Sequence, residues 1–538
     1  MSKVKLLDCT LRDGGYINDW KFGKKKISGI CRCLIEARID IVEVGFLTDL
    51  NHTSDHSLYS STNEIDAICP QKGQSMLAAM IALGEKEMDP SSLPDSSDCN
   101  LDIVRITFHR TDEEISRAVS YAKCLMAKGY KVCMQPVGTT SYTDKQLLEL
   151  IEQMNTLKPY AFYLVDTLGI LCEEELLRLI YLIDYNLADG ILFGFHSHNN
   201  LQMSFADAQV IIDYHSKRDF IVDCSIYGMG RGAGNLCTEL ITEHINKLGQ
   251  TRYNMIPILE AMDNYIYPIY LTSKWGYSAH YYIAATHKCH PNYAAFLMNK
   301  QTLTMNQVNY LLKNIPQENK YIFNKNIIND LYYSFQSNSE KTCGEEGIKT
   351  LSDLLDGKNI LVLAPGNSVY GNRNIIDNYI TENNPIIISI NACIADYHSD
   401  FVFFSNQKRL YEYDSDNTVK MILTSNLSGV ASDAIYVNYS QICGRNCDEA
   451  DNSGMMILRL LNEVGIKSAT LAGYDGFGGE VMYSYNTNIL QDSSQRNQAI
   501  ALQLKEIMKN MDIRFLTPSK YLEIIGNSMG ETDEDEKV

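Results

Sequence analysis

The first 230 residues alternate between short apolar runs and segments with helical periodicity. Eight runs have the length and apolar content of buried strands: 4–8, 39–46, 75–82, 101–108, 131–137, 160–166, 191–198 and 220–230. Between them lie amphipathic helix candidates such as 112–129 and 143–159. Continuous apolar strands separated by helices indicate a parallel sheet covered on both faces. Eight such units predict an α/β fold, an N-terminal (β/α)8 TIM barrel, with a doubly wound open sheet as the alternative.

Polar side chains lie near the ends of these apolar runs. Six of the eight runs carry them, at Asp8, Glu43, Arg105, His109, Asp166, Thr167, His196 and His198, and in the Gly-rich stretch 228–235. A single aspartate at a strand end is often only a helix cap. In a closed barrel, however, the carboxyl ends of all strands meet at one mouth, where the chemistry of such folds takes place. The pattern therefore predicts one site at that mouth.

The seventh run ends in His-Ser-His, so its two histidines are two residues apart. On a strand, residues i and i+2 point to the same side, so His196 and His198 project together. The alternative is a pair of histidines that lines a polar pocket. Asp13, in "TLRDGG" after the first run, would complete a ligand set of one oxygen and two nitrogens with open positions. Such a set suits Mn²⁺ first, and also Mg²⁺, Zn²⁺ or Fe²⁺.

Charge and composition narrow the class of protein. The 538 residues are 45% hydrophobic and 21% charged, with a net charge of −19. An acidic chain argues against nucleic acid or an anionic membrane as the main partner, although local arginines can still bind an anionic substrate. The chain shows neither a transmembrane run nor a signal peptide. Its 15 cysteines are scattered through apolar segments, which indicates reduced thiols and a cytoplasmic protein.

Later segments change character. After a barrel domain at 1–254, residues 255–316 are helical and rich in tyrosine, and 317–358 are predicted to be a polar connector. A second strand–helix alternation predicts a C-terminal Rossmann-like α/β domain at 359–526. The acidic end, 527–538, is predicted to be disordered.

The first domain resembles the DRE-TIM metallolyases, which have an HMGL-like barrel. The resemblance covers about residues 1–300 and rests on "TLRDGG" (10–15), "IVEVGF" (41–46), "VRITFH" (104–109), "YLVDTLG" (163–169), "GFHSHNN" (194–200) and "GMGRGAGN" (228–235). It implies Asp13, His196 and His198 as metal ligands, with Asn235 as a further ligand. It also implies Arg12 as the catalytic arginine and Glu43 as its support.

Among these enzymes the chain is most similar to 4-hydroxy-2-oxovalerate aldolases. The aromatic segment 275–297 is similar to their helical region after the barrel, and Tyr277 matches a tyrosine that faces the active site there. The resemblance implies that pyruvate, as an enolate, is joined to or split from an aldehyde. These aldolases have a histidine three residues after the metal aspartate, where this chain has Tyr16. The acid/base group is therefore Tyr16, His109 or Tyr277, and the aldehyde is left open.

Several of these residues also have purely structural alternatives. Glu43 could form an ordinary ion pair at a strand end, and Arg105 and His109 could support loops instead of substrate. Asp166 and Thr167, predicted to bind substrate with Arg105, could cap the next helix, and Asn235 could be an N-cap.

The second domain is similar to a bacterial sialyltransferase-like nucleotide-binding fold over about 359–485. Turns and strand ends carry this resemblance at Gly366, Asn367, Ser368, Asn391, Asn406, Ser453, Gly454 and Asp475. In such folds these positions hold a nucleotide. The alternative is an α/β domain that binds nothing. The segment contains no convincing acid/base pair, so we predict binding and no transfer chemistry there.

Two classes of function follow. The first is a metal-dependent aldolase that acts on pyruvate and an aldehyde, in carbohydrate or glycan metabolism, with a nucleotide bound by the second domain and association into a homo-oligomer through the helices after the barrel. The second is a glycosyltransferase-like or nucleotide-sugar-binding protein with a non-catalytic barrel. A Claisen-type acyl-CoA condensing enzyme or lyase is a third alternative, which the aromatic helical region disfavours.

Overall fold

The structure is a computed structural model that describes residues 4–249, 252–338, 343–394, 397–413, 419–428, 433–444, 447–478 and 493–530. The chain divides into two compact units. The first comprises Met1–Phe296 and Leu312–Asn324, and the second comprises Leu297–Leu311 and Lys325–Val538. Among the described residues, no helix has both the length and the apolar character needed to cross a membrane.

Eight parallel strands form the barrel of the first unit: β1 (Val4–Asp8), β2 (Ile41–Leu47), β3 (Met76–Ala82), β4 (Leu101–Phe108), β5 (Lys131–Pro136), β6 (Ala161–Asp166), β7 (Leu192–Ser197) and β8 (Phe220–Cys224). Each strand pairs with the next, and β1 pairs with both β2 and β8, which closes the sheet. A two-residue strand, Leu58–Tyr59, adds to β2. The predicted barrel is confirmed, since all eight apolar runs contain a strand.

Helices cover the outside of the barrel at Lys24–Glu36, Thr62–Ile68, Asp112–Ala127, Asp144–Leu157, Glu173–Asn186, Ser204–Asp213 and Thr238–Lys247. The strands are buried on both faces. One set of alternate side chains fills the interior, among them Leu7, Ile41, Ile103, Tyr163 and Ile221. The other set packs beneath the helices. Because period-two alternation divides the strand residues in this way, both sets must be apolar, which explains the continuous apolar runs.

Short helices follow the barrel at Met255–Ala261, Met262–Ile266 (a π-helix), Tyr267–Thr272, Ala279–Thr286, Pro291–Lys300 and Met305–Lys313. The segment 317–358, predicted to be a connector, contains two thirteen-residue helices, Lys325–Ser337 and Cys343–Leu355. Both belong to the second unit.

A seven-stranded parallel sheet forms the centre of the second unit: β9 (Ile360–Leu363), β10 (Ile386–Ile390), β11 (Phe401–Phe404), β12 (Lys420–Thr424), β13 (Ile435–Val437), β14 (Ser468–Ala472) and β15 (Asp512–Phe515). Its order is β13-β12-β11-β10-β9-β14-β15. The strand order reverses between β9 and β14, as in doubly wound folds. The predicted α/β architecture is confirmed.

The helices of this sheet are Ser368–Gly371, Arg373–Asn383, Gln407–Glu412, Tyr439–Ile442, Ser453–Glu463, Ser493–Ile507 and Lys520–Gly530. The last of them includes residues 527–530, which were predicted to begin the disordered tail. The rest of that prediction, 531–538, lies outside the described residues.

Candidate active site

Three potential metal ligands meet at the carboxyl end of the barrel. Asp13 lies on the short helix Thr10–Asp13 that follows β1, and His196 and His198 lie at the end of β7. One ligand atom from each lies within 4.8 Å of the others, and all three side chains are buried. The two imidazole rings stand edge to face with centroids 5.1 Å apart. The structure therefore brings together the three residues predicted to be metal ligands.

Unpartnered atoms in this cluster fit a bound cation. Asp223 bonds His196 Nδ1 at 2.9 Å, which leaves the Nε2 of that ring for a ligand. Within the described residues, His198 Nδ1 is buried without a hydrogen-bond partner, 4.0 Å from an oxygen of Asp13. Burial lowers the pKa of His198 to about 3, so its imidazole is neutral and can donate a lone pair. The donor set of one carboxylate and two imidazoles suits a divalent transition metal.

Asn235 adjoins the cluster through its amide group. Its Nδ2 donates to Asp13 at 2.8 Å and to the carbonyl of Met229 at 3.3 Å, and its Oδ1 has no partner among the described residues. Gly230 permits this approach, because a Cβ at that position would collide with the Asn235 amide and lie 2.7 Å from Asp13 Oδ2. Asn235 thus orients Asp13, and its role as a further ligand stays a prediction.

A chain of buried charges lies beneath the cluster. Arg12 donates to Asp13 at 2.6 Å and to Glu43 at 2.9 Å. Arg105 donates to the same Glu43 oxygen at 2.7 Å and also to Asp223, which in turn bonds His196. Two of the potential ligands are thus held by charged groups, Asp13 by Arg12 and His196 by Asp223. Such contacts fix the geometry of the ligands in metal sites.

These buried charges also fix the protonation states of Arg12 and Asp13. Burial alone would lower the pKa of Arg12, but Glu43 and Asp13 raise it above its ordinary value. Burial would likewise raise the pKa of Asp13, but Arg12 and the neighbouring histidines lower it below the usual range. Asp13 is therefore a carboxylate and Arg12 a cation across the physiological pH range.

Arg105 was predicted to bind substrate, and the structure gives it a different position. Its side chain is 0% exposed, and its guanidinium forms ion pairs with Glu43 and Asp223. The guanidinium carbon lies 4.8 Å from the centroid of the Tyr163 ring. In this structure the Arg105 guanidinium has no exposed surface for a substrate, and substrate binding by Arg105 stays a prediction. Arg105 is a positioning residue for Glu43 and Asp223.

Asp223 was missed at the level of sequence. The available signal was a carboxylate inside the apolar run "FIVDC" at 220–224. An interior strand position that points into a barrel accommodates a charge only when a partner such as Arg105 meets it. Gln135, in β5, is another missed neighbour, because its amide oxygen after rotation accepts from Arg105.

The three candidates for the acid/base group differ in their surroundings. The ring of Tyr16 packs edge-on against Trp20 at 4.8 Å, and burial raises the pKa of its phenol to about 12. His109 is held by Glu114, which lies 3.1 Å from His109 Nδ1 and also accepts the backbone N–H of His109. Tyr277 is 66% exposed. Of the three, Tyr16 is nearest in sequence to Asp13, and its ring is partly buried against Trp20.

Two residues of the helical region after the barrel lie within electrostatic range of the site. Burial raises the pKa of Tyr281, and the charge of Arg231 opposes this rise. Burial lowers the pKa of His290 well below its ordinary value, and the charges of Arg231 and His198 lower it further. Asn292 N–H donates to His290 Nδ1 at 3.2 Å, which leaves the ring proton on Nε2. The residue that the sequence predicts for the site in this region is Tyr277 instead.

Asp166 and Thr167 hold loops at the mouth. Asp166 accepts the backbone N–H of Leu171 at 2.9 Å, and burial raises the pKa of its carboxyl to about 6. Thr167 accepts the N–H of Gly138 at 2.8 Å. Neither contact caps the next helix, Glu173–Asn186, whose N-cap residue is Cys172. The two residues support loops at the mouth, and substrate binding by them stays a prediction.

In the second unit, most of the predicted nucleotide-binding residues lie at the carboxyl ends of the strands and bond other protein groups. Asp475 accepts the N–H of Ser368 at 2.8 Å and also its hydroxyl. Asn406 accepts Arg409 N–H at 2.9 Å and so caps a helix. Ser453 bonds Ser405 at 2.6 Å. The carboxylate of Asp475 thus accepts both the backbone N–H and the hydroxyl of Ser368 in the 366–368 turn.

The same unit contains one exception. Asn391, which follows β10, has a left-handed backbone with φ of 62°. Its buried Oδ1 has no hydrogen-bond partner in the part of the chain that the structure describes. Buried polar atoms are normally hydrogen-bonded, so this oxygen could accept a hydrogen bond from a ligand.

Comparison with known proteins finds matches to the barrel part of the chain. The HMGL-like family model matches residues 3–264. A 4-hydroxy-2-oxovalerate aldolase of Bacillus thuringiensis is 25% identical over 274 residues, which cover 49% of this chain and 77% of the relative. That of Geobacillus stearothermophilus is 26% identical over 275 residues, 49% of this chain and 76% of the relative.

A crystal structure of the N-terminal domain of a proposed aldolase from Bacteroides vulgatus is 26% identical, with a TM-score of 0.47. It covers 56% of this chain and 98% of that domain. The family match and the aldolase relatives together support a carbon–carbon lyase. Residues 3–264 of this chain form an HMGL-like domain.

Proposed function

We propose that the first unit is a divalent-metal-dependent aldolase, similar to 4-hydroxy-2-oxovalerate aldolase, that makes or breaks a carbon–carbon bond between pyruvate and an aldehyde. One observation carries the proposal. The three buried side chains Asp13, His196 and His198 lie together at the barrel mouth beside the Arg12 guanidinium. Mn²⁺ is the cation we propose for them. A 2-oxo acid offers two oxygens, which suits a metal site with open positions.

Each protein group has a distinct task in this reaction. A divalent cation bound by the three ligands would supply Lewis acidity to the oxo acid. Arg12 places a fixed positive charge beside the ligands, where an enolate oxygen would develop negative charge. Glu43 holds Arg12 by accepting from its Nε at 2.9 Å, so the guanidinium needs no reorganisation during the reaction.

Proton transfer to the aldehyde oxygen falls to Tyr16 in this proposal. Because burial raises its pKa to about 12, the phenol is protonated at neutral pH. A protonated phenol can donate to the aldehyde oxygen as the new bond forms, and the phenolate takes the proton back in cleavage. The histidine of similar aldolases would do this at lower pKa, so we expect Tyr16→His to shift the pH profile of the rate toward neutral pH.

Deuterium exchange into the pyruvate methyl group tests the proposal. The exchange would be followed by NMR in D₂O with Mn²⁺-loaded protein, EDTA-treated protein and the His196→Ala variant. We expect exchange in the first sample only. His215→Ala is the matched control, since His215 is an exposed histidine of the same unit. A folded, Mn²⁺-loaded protein that exchanges no methyl proton would refute the proposed enolising function.

For the second unit we propose nucleotide binding at the carboxyl edge of its sheet. Asn391 follows β10, the neighbour of β9 in the sheet, and its buried Oδ1 has no partner among the described residues, which supports a ligand with a donor group there. Thermal shift with a panel of nucleoside mono- and diphosphates tests this. Asn391→Ala should abolish any shift, while Asn383→Ala, at the end of an outer helix, should not.

A further inference from the structure

Two cations at the barrel mouth form no ion pair with any carboxylate of the described residues. Arg231 lies in the loop after β8, and its guanidinium is 5.3 Å from the centroid of the Tyr16 ring. Lys86 follows β3, and its Nζ is 5.7 Å from the same centroid and 3.8 Å from that of Trp20. Neither cation forms an ion pair within the described residues. The nearby Arg12 and Arg105, by contrast, are fully matched by carboxylates.

Their environment makes this lack of partners unusual. Arg231 Nε is buried and has no hydrogen-bond partner in the described part of the chain. Burial lowers the pKa of Lys86, and the exposed Glu85 and Asp19, which act in the opposite direction, do not bond it. A buried guanidinium N–H without an acceptor destabilises the fold. Such a donor can therefore bind a ligand acceptor where the described residues provide none.

Arg231 lies close to the proposed reacting centre, but it is separate from Arg12, the arginine proposed to act on the oxo acid. Its neighbour Gly230 borders Asp13, and its charge contributes to the electrostatics of His198 and Tyr16. Tyr16, the residue proposed to face the aldehyde oxygen, has both unpaired cations against its ring. The oxo acid already has Arg12 and the metal ligands, so the additional positive charge lies toward the other half of the substrate.

We propose that Arg231, assisted by Lys86, binds an anionic group, a carboxylate or a phosphate, on the aldehyde substrate. This inference rests on the proposed aldolase function and specifies its second substrate. The planar guanidinium presents paired N–H donors that match either anion. The net charge of −19 does not oppose this, because the two cations act locally in a shielded mouth.

The test compares aldehydes that carry an anionic group with neutral counterparts that lack it. Condensation with pyruvate would be measured for succinic semialdehyde against butanal, and for glyceraldehyde 3-phosphate against glyceraldehyde. The first pair reports a carboxylate and the second a phosphate. We expect kcat/KM to favour the anionic member of at least one pair by about 30-fold or more. Arg231→Met should remove most of that preference, and Lys86→Met part of it.

Arg178→Met is the matched control, because it removes a surface guanidinium of the same unit that bonds Glu175 and Asp144. It should leave the preference intact. Equal kcat/KM for anionic and neutral aldehydes in the unmodified protein would overturn the inference. So would an Arg231→Met variant that raises the KM for pyruvate in methyl exchange and keeps the aldehyde preference, since Arg231 would then bind the oxo acid.

The two proposals fail in different ways. If the unmodified protein exchanges no pyruvate methyl proton, the aldolase proposal falls and takes the inference with it. If exchange occurs but charge on the aldehyde has no effect, the inference alone is refuted.

Discussion

Asp223→Asn is the sharpest test of the buried charge chain. Asp223 is 2% exposed, accepts from the fully buried Arg105, and bonds His196 Nδ1 at 2.9 Å. The substitution keeps the shape of the side chain and removes one negative charge. Among the described residues, it leaves Arg105 with one carboxylate partner, Glu43, which Arg12 already shares.

The expected loss of stability follows from this burial. Removing one partner of a buried ion pair costs about 3–5 kcal/mol, because the other charge is left uncompensated. The retained bond to Glu43 and the amide oxygen of asparagine place the expected loss near the lower end, about 3 kcal/mol. Asp102→Asn is the control, since Asp102 pairs with Lys72 where both side chains are 25–30% exposed. A pair of that kind contributes about 0–1 kcal/mol.

Metal affinity should fall in the same variant. The chain of buried charges consists of two arginines and three carboxylates, Asp13, Glu43 and Asp223. It therefore has one excess negative charge, which favours a bound cation. Asp223→Asn removes that excess and replaces the carboxylate that orients His196 with a neutral amide. Loss of such a supporting partner typically lowers metal affinity about 10–100-fold.

Two assays measure these effects. Both tryptophans, Trp20 and Trp275, lie in the first unit, so fluorescence during urea unfolding reports on that unit. Calorimetric titration with Mn²⁺ gives the affinity. If Asp223→Asn unfolds at the same urea concentration as Asp102→Asn and binds Mn²⁺ with unchanged affinity, the reasoning about the charge chain is wrong.

Two further predictions concern pH and packing. Burial, with a smaller effect of Asp166, raises the pKa of Asp207 to about 7, above the unfolded value of about 3.9. The folded state therefore binds the proton more tightly, and its free energy of unfolding falls as pH rises from about 4 to about 7. Asp207→Asn should melt as the unmodified protein does at pH 4 and at a higher temperature at pH 7.5. An equal gain at both pH values, or the same gain from Asp213→Asn on an exposed site of that helix, would contradict this. Gly230→Ala should lower Mn²⁺ affinity at least tenfold by displacing the Asn235 amide. Gly526→Ala is the control and should have no effect, because its added Cβ meets no atom within 4 Å. Unchanged affinity in Gly230→Ala would show that the loop moves to accommodate the methyl group without displacing the amide.

The sequence by itself determined the barrel and its three potential ligands. Buried parallel strands must be apolar on both faces, so each strand is visible as a continuous run whatever its neighbours are. The pair His196 and His198 follows from the two-residue period of a strand, and Asp13 from a motif at the end of β1. Local patterns fix features of this kind because they depend on residues close in the chain.

Only the tertiary structure decided how charges far apart in the chain are paired. Glu43 and Arg105 are 62 residues apart, and Arg105 and Asp223 are 118 apart. No local pattern shows that Arg105 is enclosed by these partners, or that Arg231 has no ion-pair partner in the described part of the chain. Whether an arginine supports a site or faces a substrate depends on which strand ends meet when the barrel closes. That closure brings β1 and β8 together, and with them Asp13, Asn235 and the loop that carries Arg231.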